Sequence, residues 1–148
     1  MYTNFIEEIQ KRIEPNKPGI RKNADTVISK KENGKLIPIY TPPHGEKNLR
    51  NHLHNLDEFI NNHKDKIHPL IKAGILHYQF ECIHPFMDGN GRTGRILIIL
   101  YLIFTKKLKY PILFLSQYIN KNKSEYYKIF QKAHETNDIT NMIIFILK

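Results

Sequence analysis

The chain has no tryptophan and only one cysteine in 148 residues. The lone Cys82 excludes an intramolecular disulfide framework and a cysteine-rich zinc site, and it fits a reducing compartment. Long apolar runs are missing too. The longest, Ile96 to Phe104, spans nine residues, too few to cross a bilayer, and reads as a buried helix. The residues after Met1 are amphipathic and include acids, with no apolar stretch of a secretory signal. The expectation is a cytoplasmic protein with no membrane partner. Internal repeats and low-complexity segments are absent, which argues against a solenoid or a disordered tail. Glycine is scarce, at seven, and so is arginine, at five of the 23 basic residues.

What is present reads as an ordinary globular domain. Hydrophobic residues make up 41% and charged residues 25%, and the length suits one domain with its own core. The formal net charge of +9 raises a polyanion partner. The lysines are scattered, however, in short pairs such as Lys106-Lys107, and the tyrosines and phenylalanines fall mainly on apolar faces. A basic helical module that binds nucleic acid is therefore disfavoured.

Apolar spacing predicts a helix over 3–13 with Phe5, Ile6, Ile9 and Ile13 on one face, ended by Pro15, Pro18 and Gly19. Two β-like runs follow, Thr26-Val27-Ile28 and Leu36 to Tyr40, with the hairpin-turn pair Asn33-Gly34 between them. Pro38 makes the second an edge strand. Helices are expected over 46–62 (Leu49, Leu53, Leu56, Ile60), over 67–83 with Pro69 in the first turn, and from Gly91 or Arg92 to Thr105. The segment 111–119 is either a strand or a short helix. Helices over 123–135 and 138–147 close the chain, the last capped by Asp138. The class is mainly α with one small hairpin.

Three of the seven glycines and two of the five arginines sit within twelve residues, HPFMDGNGRTGR, from His84 to Arg95. Pro85 disfavours an α conformation before it, so the central helix should end near His84. Met87 to Gly91 forms a loop, and a helix starts just after it. Successive amides in such a turn, leading into a helix N-terminus, make an anion-binding nest. Arg92 and Arg95, spaced i, i+3, would oppose the helix dipole unless an anion sits there. Paired guanidiniums suit phosphate oxygens, and Asp88 is a hard oxygen ligand for Mg²⁺ bridging phosphates. His84 is then a base beside a bound polyphosphate. Each feature has a plainer explanation: a structural histidine, a tight helix connection, a capping Asp88, arginines in surface ion pairs. The Walker A pattern is absent.

This stretch resembles the signature of the Fic family, H-P-F-x-[D/E]-G-N-G-R-x-x-R, at every defined position. Similarity extends to Pro18-Gly19-Ile20-Arg21, to Ile37 through Pro43, to Leu76 through Glu81, to Pro111 through Ser116, and to Ser124 through Tyr127. The resemblance implies a single catalytic domain over 1–148: a Fic-type helical bundle with a first helix and linker (1–17), a β-hairpin flap (25–43) and a helical core (46–148). It implies His84 as general base for a Ser, Thr or Tyr hydroxyl of a target protein, Phe86 as a core anchor, and Asp88 as the Mg²⁺ ligand. Gly89, Asn90 and Gly91 would form the anion hole of the ATP site, with Arg92 and Arg95 on its phosphates. Ile39, Tyr40 and Thr41 would align the target segment by strand addition.

The implied reaction is AMP transfer from ATP with release of pyrophosphate. The alternatives are another nucleotide or phosphorylated donor, or removal of AMP from a target. The related Doc toxins phosphorylate, and they carry alanine and lysine within the stretch that reads Gly-Asn-Gly-Arg here. That difference favours adenylylation. Many members hold an inhibitory [S/T]-x-x-x-E-[G/N] helix. Here only Thr3-Asn4-Phe5-Ile6-Glu7 fits its first five positions, with Glu8 in the sixth, and it falls where the first core helix belongs. The expected inhibitor is therefore a separate antitoxin protein, or part of a longer chain.

Overall fold

The structure is a computed structural model that describes residues 3–148. Helix α1 (Thr3–Ile13) buries Ile6 and Gln10 and half-buries Ile9, while Phe5 lies outside. The expected apolar face is thus rotated, and a glutamine completes it. Strands β1 (Ile28–Glu32) and β2 (Lys35–Tyr40) pair antiparallel across Asn33-Gly34, both at positive φ (49° and 78°), as a two-residue turn of matching twist requires.

The first strand runs later than Thr26-Val27-Ile28. The turn pairs Glu32 with Lys35, and the register runs back from there through polar residues to Ile28, where a bulge breaks it. Turn geometry, not apolar content, sets the strand's position. Of the two strands, β2 has one hydrogen-bonded neighbour and leaves its other edge open.

Helix α2 (Glu46–Asn61) buries Leu49, Leu53, Leu56 and Ile60 at the spacing expected. Helix α3 (Pro69–Ile83) is the centre of the core and packs against α2, α4 (Asn90–Phe104) and α7 (Thr140–Leu147). His68 caps it, its Nδ1 accepting the Leu70 N–H at 3.3 Å, and Pro69 takes the first position, where no amide is needed. Near its start the buried Lys72 pairs with Asp65 at 2.7 Å and donates to the carbonyls of Phe59 and Asn62, tying α3 to the end of α2.

The ambiguous segment 111–119 resolves into α5 (Leu115–Lys121), followed by α6 (Lys123–Thr136). Helix α7 starts two residues later than expected. Asp138 still serves it, its Oδ1 accepting the Thr140 N–H at 2.9 Å, but from outside the N-cap position, which Ile139 holds. The architecture is mainly α with one small hairpin.

Arg21 organises the approach to the central helix. It is among the most buried side chains, and its guanidinium donates to three carbonyls: His84 O at 2.8 Å, Asn23 O at 3.0 Å, and Pro43 O. Its own N–H donates to Pro85 O at 2.9 Å, and the neighbouring Ile20 bridges Phe86. Replacing Arg21 by Met should lower the unfolding free energy by about 3 kcal/mol, since three carbonyls lose a buried charged donor together. Urea unfolding measures this. A loss below about 1 kcal/mol would mean that water replaces the guanidinium.

Candidate active site

Helix α3 ends at Ile83, and His84 follows in the left-handed region (φ 46°, ψ 57°), its N–H still bonded to Phe80 O at 3.0 Å. The helix ends where Pro85 leads one to expect, and His84 leaves the right-handed helical region for the left-handed one. Histidine tolerates left-handed geometry better than most residues, and the Arg21 guanidinium holds the His84 carbonyl in place. The turn throws the imidazole sideways into a cavity of about 270 Å³ whose lining includes Ile28, Glu81, Gly91, Arg95 and Tyr127.

The loop after it is locked from within. Phe86 is fully buried, and the Asn90 side chain accepts from Phe86 N–H (2.9 Å) and donates to Phe86 O (2.8 Å). Asn90 therefore braces the loop with its side-chain amide and leaves its backbone N–H for a ligand. Gly89 sits at φ 84°, a conformation a side chain would strain, and α4 begins at Asn90, one residue ahead of the Gly91 or Arg92 start expected. Thr93 N–H is bonded to Gly89 O at 2.9 Å, so the amides of Asn90, Gly91 and Arg92 ahead of it have no acceptor within the helix. From α1, the buried Gln10 donates to Asp88 O (3.1 Å) and Lys17 O (2.9 Å) and accepts from Gly19 N–H (3.1 Å), which fixes the loop's outer side.

The two arginines diverge. Arg92 turns to α1, meeting Glu14 at 3.0 Å and Ile13 O at 3.3 Å, with Asp88 at 3.6 Å. Arg95 turns to α5, its Nε donating to Ser116 Oγ at 2.8 Å, and it lies on the cavity wall. They share a helix but not a partner. Asp88 is half-exposed; its Oδ1 accepts Gly89 N–H at 2.6 Å, and Lys17 stands 3.9 Å from Oδ2. No group of three or more His, Cys, Asp or Glu side chains suited to a metal occurs among the described residues. A nucleotide-bound Mg²⁺ takes most of its ligands from phosphates and water, so the single carboxylate of Asp88 fits that role.

At the flap, Ile39 is half-buried against the core, and the Tyr40 ring packs edge-on against Phe130 (5.9 Å) and His134 (4.4 Å). Burial pushes its hydroxyl up to about 12. Tyr40 thus anchors the hairpin through its side chain, and Thr41 follows just beyond β2. Glu7 of the inhibitory-motif candidate pairs with Arg50 at 2.7 Å rather than with Arg95.

Behind the cavity lies a buried polar cluster that the signature does not contain. His77 Nε2 meets Tyr126 Oη at 3.1 Å, while His77 Nδ1 and Glu81 Oε1 are buried without hydrogen-bond partners. Burial pushes Glu81 up to about 7, against the pull of Arg95. Burial, with Arg95 adding to it, pushes His77 down to about 3. Burial likewise pushes His84 down to about 4, opposed by the Glu81 backbone and aided by Arg21. Sequence reading singled out Gln10, Glu14, Glu81 and His77 for no role. For Gln10, His77 and Glu81 the available signal is their place on apolar helix faces, where a polar residue needs a partner; Glu14 lies just past α1 and gives no such signal.

Both histidines stay neutral when folded and charge when unfolded, so their stabilisation is complete above about 6.5 and is lost as pH falls toward 3–4. Glu81 acts oppositely, its contribution complete below 4.5 and lost as pH rises through about 7. Thermal midpoints should therefore fall as pH drops from 6.5 to 4, and less steeply in His77→Gln. Parallel curves for the two proteins would mean that His77 is not kept neutral.

Residues 3–102 match the model of the Fic/DOC family. Protein adenylyltransferase Fic of Drosophila virilis is 32% identical over 108 residues, which is 72% of this chain and 21% of that protein. The protein of the same name in Drosophila melanogaster is 32% identical over 105 residues, 70% of this chain and 20% of that one. The chain spans about a fifth of the length of these curated relatives. Among solved structures, a Fic family protein from Desulfovibrio desulfuricans G20 superposes with a TM-score of 0.78 at 24% identity, covering 96% of this chain and 42% of that one. Fic-1 (residues 134–508) from C. elegans superposes at 0.69 with 26% identity, covering 95% and 38%. The family match runs through the histidine at the end of α3, the glycine loop and both arginines, and this chain belongs to the Fic/DOC family.

Proposed function

We propose that this chain is a protein adenylyltransferase domain that moves AMP from ATP to a Ser, Thr or Tyr hydroxyl of a target protein. The observation that carries this reading is the convergence of His84, the amide-rich start of α4 and Arg95 on one cavity rimmed by the hairpin. His84 takes the hydroxyl proton. The hydroxyl oxygen bonds to the α-phosphorus, and the bond to the bridging oxygen breaks with its electron pair leaving on pyrophosphate. The proton then passes from His84 to water.

The free amides at Asn90, Gly91 and Arg92, with Gly89 allowing close approach, cradle the phosphates, because amides aimed at developing charge cost no reorganisation. Arg95, on the cavity wall, holds the outer phosphates, and Arg92 joins it by releasing Glu14 and the Ile13 carbonyl. Asp88 would hold Mg²⁺, which supplies charge neutralisation to the pyrophosphate when bound. The open edge of β2 at Ile39 to Thr41 pairs with the target backbone. Inhibition is assigned to an antitoxin protein or a further segment, since Glu7 is engaged by Arg50.

Incubation with Mg²⁺, a bacterial lysate and ATP labelled on the α-phosphate should label a protein band. The signal should fall by about a hundredfold or more in His84→Ala. Label arriving only from the γ-phosphate would make the enzyme a kinase and sink this assignment. Arg95→Ala should keep the wild-type circular dichroism and melting curve but bind ATP about tenfold more weakly by calorimetry, the loss of one charge-assisted contact. Unfolding of Arg95→Ala with unchanged ATP affinity would make the arginine structural.

A further inference from the structure

Glu81 is a buried acid with no ion-pair partner of ordinary length. Its side chain is 10% exposed, and its nearest cationic candidate is His84 Nδ1, 3.9 Å from Oε2. Its other oxygen, Oε1, is buried and unbonded. A carboxylate so placed is costly unless something in the function uses it. The fold also makes room for it. A Cβ at Gly94 would lie 2.9 Å from Glu81 Oε1, 3.0 Å from Phe80 Cδ1 and 3.6 Å from His77 Nδ1. Only a glycine on α4 lets the carboxylate and His77 share that space. The unpartnered Glu81 Oε1 and His77 Nδ1 thus sit in one cluster behind His84, whose ring faces both the backbone carbonyl and the carboxylate of Glu81, with Tyr126 Oη on the far side of His77.

We propose that Glu81 is a positioning residue for His84. Its carboxylate faces Nδ1, keeps the proton on that nitrogen, leaves Nε2 bare toward the cavity, and steadies the imidazolium once the target hydroxyl has given up its proton. His77 and Tyr126 back the carboxylate from the other side. This rests on the assignment of His84 as base. At 3.9 Å the Glu81–His84 contact is loose, as base–orienter contacts often are before substrate closes the site.

The groups facing the pair are Arg95 from α4, His77 and Cys82 from α3, Tyr126, Tyr127 and Lys123 from α6, and Arg21 across the His84 carbonyl. Burial holds Glu81 near 7 and His84 near 4. Between those values Glu81 holds its proton and His84 is neutral. Glu81 becomes a full anion only above about 7, so the rate should rise through that pH.

The test is long-range ¹H–¹⁵N NMR of the histidine side chains in the whole chain, with His84 assigned by its loss in His84→Ala. In the wild type the His84 nitrogens should report a step near pH 7, set by Glu81, and a predominant Nδ1–H tautomer. In Glu81→Gln, which has the same shape, the step should vanish and the tautomers should mix, while Glu81→Asp should restore the step. In the labelling assay Glu81→Gln should lower kcat about tenfold to a hundredfold with KM for ATP nearly unchanged, and flatten the rise through pH 7. A His84 titration and tautomer identical in the wild type and Glu81→Gln would overturn the proposal and leave Glu81 a merely buried acid. Failure of labelling with the NMR step intact would instead overturn the adenylylation assignment and leave the coupling standing.

Discussion

One guanidinium fixes the geometry on which the rest of the site depends. Arg21 reaches the carbonyl of His84, the proposed base, and that of Pro43, where the hairpin returns to the helical core. Pro43 lies only three residues past the end of β2. The separation between flap and base is thus set by one planar, rigid side chain rather than by the packing of loops. Arginine suits this because its donors point in fixed directions, and lysine could not span the same carbonyls with one ammonium. Gln10 performs a parallel service on the other side of the loop, binding α1 to the backbone at Asp88.

The candidate site was legible as a local feature because it is contiguous: histidine, loop and arginines fall within twelve residues, and turn chemistry accounts for the helix end and the glycine loop. Helix cores were legible for the same reason, as with Leu49, Leu53, Leu56 and Ile60 of α2. Failures arose where long-range contacts decide. The first strand was misplaced because pairing register from Asn33-Gly34 outweighs the apolar content of Thr26 to Ile28. The bracing of the loop by the Asn90 side chain is invisible locally, because no local rule reveals its bonds to Phe86. Glu81 and His77 looked like ordinary helix positions, and only the packing of α4 at Gly94 brings them behind His84.

The charge of the chain tells a similar story. Its lysines looked scattered because Lys30 and Lys31 are far in sequence from Lys123 and Lys128. Folding brings the four together around one groove, with Ser124 and Tyr127 between them and Glu32 among the lining residues. Lys123 and Tyr127 belong to this groove and to the cavity beside His84 as well, so the basic surface runs continuously into the place where phosphates are proposed to bind. Charge clustering of this kind attracts anions over distances up to about a Debye length, roughly 8–10 Å at moderate salt.

The left-handed backbone at position 84 has an evolutionary side. Few residues accept φ near 46° without strain, and histidine shares that tolerance mainly with asparagine, aspartate and glycine. A lineage that lost catalysis while keeping the fold would therefore drift at this position toward those residues and away from valine or isoleucine. The identity of the replacement would then reveal whether the turn, and with it the grip of Arg21, had outlived the chemistry.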